Sequence, residues 1–116
     1  MRRKYRLRSN DDFERLRREG RTVVNPLLVM SSLPNGLAYS RFGFSVGRRI
    51  GGAVDRNRVK RRLREAVRVR IQKGDLAAGW DVVFIARHPT REASFAQIGQ
   101  AIDLLLRRAG LKSEPR

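Results

Sequence analysis

"VDRNRVKRRLREAVRVR", residues 54–70, sets eight arginines and lysines against two acids, Asp55 and Glu65. Its apolar residues still recur at helical spacing. Val59, Leu63, Ala66 and Val67 share one arc with Ile71 at its edge, and Asn57, Arg61, Arg64 and Arg68 fall on the opposite side. The charge is therefore sorted onto one face. Asp55 is a candidate N-cap, with Val54 and Val59 as a hydrophobic staple across it. Arg56 and Arg70 project toward the apolar arc, so they must lie at its ends or extend their heads to solvent. Like charges one turn apart cost a helix about 0.2–0.5 kcal/mol per pair, and two acids cannot neutralise eight bases. The pattern calls for an external polyanion on one face and a packed layer on the other.

Working outward from this helix, the flanking segments supply that layer. Downstream, "WDVVFIAR" (80–87) is a continuous apolar run of strand length, as expected of a central strand buried on both faces. Upstream, "YSRFGFSVG" (39–47) alternates: Phe42, Phe44 and Val46 point one way, Arg41, Gly43, Ser45 and Gly47 the other. "TVVNPLLVMSSL" (22–33) reads as one β segment with Pro26 at an edge or bulge, and "PNG" (34–36) as the turn that makes it a hairpin with 39–47. "SNDDFERLRREG" (9–20) is helical, capped by Ser9 and ended by Gly20, with Phe13 and Leu16 on its apolar side. In the last helix Ser94 and Gln97 form a capping box, and Phe95, Ile98, Ile102, Leu105 and Ala109 keep helical spacing to Gly110. The basic arm at 1–8 and the tail at 111–116 are expected to be flexible. The order α-β-β-α-β-α predicts a single α+β domain, residues 1–116, with packed helices on a mixed sheet. The passage from Val46 to Trp80 implies a crossover, right-handed by default.

Composition narrows the function. With 27 Lys+Arg, 11 Asp+Glu and a formal charge of +16 in 116 residues, nucleic acid is the natural polyanion, and the predominance of arginine suits phosphate. No apolar run reaches membrane-spanning length and nothing resembles a signal peptide, so a cytoplasmic protein is expected. Zero Cys excludes disulfides and thiol chemistry. No catalytic constellation is visible. His88 lies in a turn beside Pro89 with nothing to orient it, the acids complement helix starts, and neither phosphate-loop motif occurs. Composition alone would also fit a basic ribosomal or other structural RNA-binding protein, or a DNA-binding architectural protein. Neither accounts for the ordered block that follows.

That block is "GFSVGRRIGGAV" leading into Arg56-Asn57-Arg58 and then Lys60, Arg61 and Arg64, with "RLRSNDDFERLRREG" before it and "VVFIARHP" after it. From about residue 6 to residue 108 the chain resembles the bacterial ribonuclease P protein family. The resemblance implies a fold like ribosomal protein S5 domain 2, with a left-handed crossover in place of the default. It implies a subunit that helps remove the 5′ leader of precursor tRNA, while the RNA subunit carries the active site and most of the magnesium. No catalytic or metal-binding residue is then expected in the protein. Arg56, Asn57, Arg58, Lys60, Arg61 and Arg64 would face the catalytic RNA, a set that the basic loop and helix face extend to Arg48, Arg49 and Arg68. A cleft between the first helix and the sheet would take the leader, with Phe13, Arg41 and Ser45 at matching positions. Arg17 and Ser31 stand in that cleft where the family often has aromatics.

Overall fold

Because "WDVVFIA" carries apolar residues on both faces, it needs a packed layer on each side of the sheet that holds it. The computed structural model describes residues 1–113. Helix α1 (Asn10–Glu19) is followed by strands β1 (Arg21–Val24), β2 (Leu28–Pro34) and β3 (Arg41–Ser45). Helix α2 (Ala53–Lys73), strand β4 (Trp80–Ala86) and helix α3 (Phe95–Arg108) complete the domain. The sheet order is β1-β2-β4-β3; β1–β2 and β2–β4 are antiparallel, β3–β4 is parallel, and α2 is the crossover between the parallel pair. The expected α+β class, mixed sheet and inner placement of 80–86 are present.

The two sheet faces carry different cores. On one, Leu28, Met30, Phe42, Phe44, Val82 and Phe84 pack against Val59, Leu63, Ala66 and Val67 of α2 and Ile98, Ile102, Leu105 and Leu106 of α3. On the other, Leu16 of α1 packs with Leu7 and Val83, flanked by Phe13, Leu33 and Ile85. The second layer is smaller, so α1 leaves part of its sheet face uncovered. Among the described residues no helix is long and apolar enough to cross a membrane.

Several expectations need correction. The hairpin lies elsewhere: 22–33 is two strands, and the chain reverses at Asn25-Pro26-Leu27. The buried Asn25 side chain builds that turn, its Oδ1 accepting from the Leu27 and Leu28 amides at 3.0 and 2.9 Å while its Nδ2 donates to the Ala101 carbonyl at 3.0 Å. The 34–36 turn carries the chain across to the far side of β4, so β2 and β3 are not neighbours. Asp55 does not cap α2. The helix starts three residues earlier, after Gly52, and Asp55 sits in its first turn, paired with Arg58 and Arg91 at 3.4 Å each. Gly51 makes this possible: at φ 144° it adopts a backbone that other residues avoid, and any Cβ there would press on the Asp55 carboxylate at 2.7 Å. Val54 is 82 % exposed, so it forms no staple with Val59. Phe95, at the start of α3, also faces solvent.

The arm at 1–8, expected to be flexible, is docked. Its Leu7 is buried and donates its amide to the Phe42 carbonyl at 2.8 Å, extending the sheet beside β3. In the expected tail, Leu111 is buried and Lys112 bridges to Leu76; positions 114–116 lie outside the described residues. Arg70 neither snorkels nor terminates the apolar arc. It is tied to Asp103 of α3 by Nε at 2.6 Å and Nη2 at 3.0 Å, and it covers Gly99, whose missing side chain leaves it room.

Candidate nucleic-acid interface

Helix α2 buries its apolar arc and turns Asn57, Lys60 and Arg61 to solvent, with Arg56, Arg58, Arg64 and Arg68 half-buried along the margins. The enclosed Nε atoms of Arg56, Arg58 and Arg64 have no hydrogen-bond partner within the protein. Those atoms are shielded from solvent, so a phosphate would meet the terminal nitrogens of these side chains instead. Arg68 differs from the rest: its Nε donates to Glu65 at 2.9 Å, and that hydrogen bond lowers the Glu65 pKa and raises that of Arg68. Arg48 and Arg49 lie exposed on the short 3-10 turn (Arg48–Ile50) that enters the helix, anchored by buried Ile50.

Two depressions meet at Phe13. The first, about 230 Å³, lies between the docked arm, β3 and α2; its charged lining consists of Arg6, Arg8, Lys60 and Arg64, with no acid. The second, about 380 Å³, lies between α1 and the uncovered end of the sheet and is lined by Asn10, Phe13, Glu14, Arg17, Ser45, Val83 and Ile85. Phe13 is half-buried and sets its ring edge, Cε1 and Cζ, against Gly43, where any Cβ would collide with it. Its edge is packed while part of the ring stays accessible. Arg17 is well exposed and only loosely paired with Glu14 at 3.5 Å.

Of the five expected cleft residues, the fold thus gathers Phe13, Arg17 and Ser45. The other two are engaged elsewhere. Ser31 is buried, its hydroxyl 2.9 Å from that of Thr22 on β1, because β1 occupies the space beside it. Arg41 forms a bidentate pair with Asp81, Nε to Oδ1 at 2.9 Å and Nη2 to Oδ2 at 2.7 Å, which raises its own pKa. Reading the sequence missed Asp81, Arg15 and Asn35, which converge on one point; an acid inside a strand otherwise made of Trp, Val, Phe and Ile was the signal available. It also missed Arg6 and Arg8, hidden by the assumption that the arm is free.

Among the described residues no group of three or more His, Asp or Glu side chains converges as metal ligands. Asp81 is surrounded by guanidinium and amide donors. Asp103 is held by Arg70 and Lys112: burial alone would raise its pKa, but those hydrogen bonds prevail and lower it to about 2. Neither of these two carboxylates is available to a cation. His88 is exposed, on a 3-10 turn.

With this geometry in hand, comparison with known proteins is decisive. The family model for Ribonuclease P matches residues 1–110. The chain belongs to the ribonuclease P protein family. It is 47 % identical over 112 residues to the ribonuclease P protein component of Roseiflexus castenholzii, covering 96 % of this chain and 90 % of that one. Against the component of Chloroflexus aurantiacus it is 47 % identical over 116 residues, covering 99 % and 84 %. In three dimensions it matches the RNase P protein of Staphylococcus aureus with a TM-score of 0.84 at 32 % identity, covering 94 % of this chain and 98 % of that one. The RNase P protein of Thermotoga maritima superposes with a TM-score of 0.77 at 36 % identity, covering 88 % and 96 %. The family assignment makes this chain a protein subunit of a ribonucleoprotein, and the basic face of α2 and the groove beside α1 lie on a backbone it shares with those relatives.

Proposed function

We propose that the chain works in the cytoplasm as the protein subunit of the ribonuclease P holoenzyme in tRNA 5′-end maturation. It binds the catalytic RNA through Arg48, Arg49 and the exposed and marginal cations of α2, and the 5′ leader of precursor tRNA in the groove between α1 and the sheet. The RNA subunit carries the endonucleolytic active site and holds most of the magnesium, while the protein supplies binding and charge compensation. The observation that carries this reading is the meeting of the two depressions at Phe13. One has only cations among its charged lining residues, which suits backbone phosphates, and the other is floored by Val83, Ile85 and Ser45, which suits an unpaired base. A strand crossing from one to the other passes the accessible part of an aromatic ring, and base–aromatic stacking contributes about 1–3 kcal/mol.

The test is reconstitution with a bacterial catalytic RNA. The holoenzyme should bind precursor tRNA carrying a leader of several nucleotides more tightly than leaderless tRNA, and Phe13→Ala should weaken the first by roughly 1–3 kcal/mol with little effect on the second. Equal losses for both substrates would assign Phe13 to packing alone and favour a general structural RNA-binding role.

A further inference from the structure

Asp81 opens β4 just after Trp80, and its side chain has 0 % exposure. Four donors from three other parts of the chain reach its two oxygens. Arg41 of β3 supplies the bidentate pair, Asn35 in the connection after β2 donates Nδ2 to Oδ1 at 2.9 Å, and Arg15 of α1 donates Nη2 to Oδ2 at 3.2 Å. Arg41 alone would neutralise the carboxylate, so the second guanidinium is not required for charge balance. Arg15 is 40 % exposed and could have stayed in water. Its reach to Asp81 is, among the described residues, the one side-chain hydrogen bond from α1 to the sheet. The helix's other contacts with the sheet are the small apolar cluster around Leu16, the Phe13 ring against Gly43, and the close approach of Gly20 to the Ser32 carbonyl.

The geometry gives the tether a direction. At 100° per residue, Asn10, Phe13, Glu14 and Arg17 share the edge of α1 that lines the groove, Leu16 faces the sheet, and Arg15 lies on the far edge. A greasy contact under the middle of a short helix permits rolling about the helix axis, because apolar contact is not directional. A hydrogen-bonded ion pair at one edge opposes that roll. We infer that Asp81, acting through Arg15, is a positioning residue that fixes the rotation of α1 and thereby the placement of Phe13 and Arg17 at the leader groove. This rests on the groove being the leader site. Asp81 cannot touch RNA from its buried position, so its whole influence on leader binding passes through the helix.

Arg15→Ala is the primary variant, since it leaves Asp81 paired with Arg41 and Asn35 and removes only a half-exposed side chain. Arg15→Lys and the isosteric Asp81→Asn accompany it, all confirmed folded by circular dichroism and assayed well below their unfolding temperatures. The first readout is the ratio of affinities of the reconstituted holoenzyme for leader-bearing and leaderless tRNA. The second is amide hydrogen exchange in the free protein. Arg15→Ala and Asp81→Asn should each lower the ratio by roughly three- to tenfold, in the range of other positional couplings, and Arg15→Lys should restore part of it. Exchange should accelerate across residues 10–19 and stay unchanged across 53–73. A normal wild-type ratio that Arg15→Ala leaves intact overturns the positioning role and spares the groove. A wild-type ratio near one removes the groove reading and the positioning role together. If Arg15→Ala lowers the ratio without changing exchange in α1, or Asp81→Asn folds and keeps the full ratio, Arg15 touches RNA directly and the inference fails.

Discussion

At the scale of single residues, several acids are each shared between two cations, Asp55, Asp81 and Asp103 among them. Asp103 is the clearest case, holding Arg70 of α2 and Lys112 of the C-terminal segment at once. Its pKa lies near 2 against an ordinary 3.8, so its contribution to stability is complete above about pH 4 and is lost as pH falls toward 2. After allowance for partial solvent exposure, Asp103→Asn should cost about 1 kcal/mol at neutral pH. The difference from wild type should shrink in acid, which urea titrations at pH 7 and pH 2.5 would read directly. A difference that stayed constant with pH would mean the pair contributes nothing through charge. None of this was visible in sequence, because Arg70 and Asp103 lie far apart in the chain and only the packing of α2 on α3 brings them together. Arg41 shows the same limit: strand alternation set it on the polar face with Ser45 and could not show that Asp81 was waiting there, while Ser31, placed in the cleft by family resemblance alone, meets Thr22 instead.

At the scale of elements, local periodicity was legible wherever one face of a segment packs. The buried set Val59, Leu63, Ala66 and Val67 is the arc read from residues 54–70, and the capping box of α3 forms as Ser94 and Gln97 require. What failed were boundaries that depend on a turn, such as the start of α2, where glycine conformation overrides the capping preference of Asp55. The two faces of α2 make opposite predictions. Leu63→Ala should cost about 2–5 kcal/mol by opening a cavity in the main core, measured by denaturant unfolding. Arg61→Ala and Arg64→Ala should leave stability nearly unchanged and lower the salt slope of catalytic-RNA binding by up to about one unit each. Arg68→Ala should change that slope less, because Glu65 already engages its guanidinium. Unaltered slopes for both Arg61 and Arg64 would reduce this face to a solvated surface.

At the scale of the whole molecule, a formal charge of +16 sets the conditions under which the subunit matters. RNA–RNA repulsion in a holoenzyme is screened either by magnesium or by protein cations, so the protein should accelerate precursor tRNA cleavage most at low magnesium and progressively less as the ion is raised. Protein alone should cleave nothing. Cleavage by an RNA-free preparation that His88→Ala abolishes would overturn the division of labour proposed above. The order of strands carries a separate consequence. The inner strand β4 is the last of the four to be made, and it must enter between β2 and β3, which were made well before it. Until residue 86 has left the ribosome, both older strands expose unpaired edges, and the amphipathic α2 has only half a sheet to cover. Closing the parallel β3–β4 pair spans some forty residues, a long-range contact of the kind that slows folding. The chain therefore completes its cationic helix α2 before it possesses a folded domain, and the nascent segment that needs protection from aggregation is also its most cationic one.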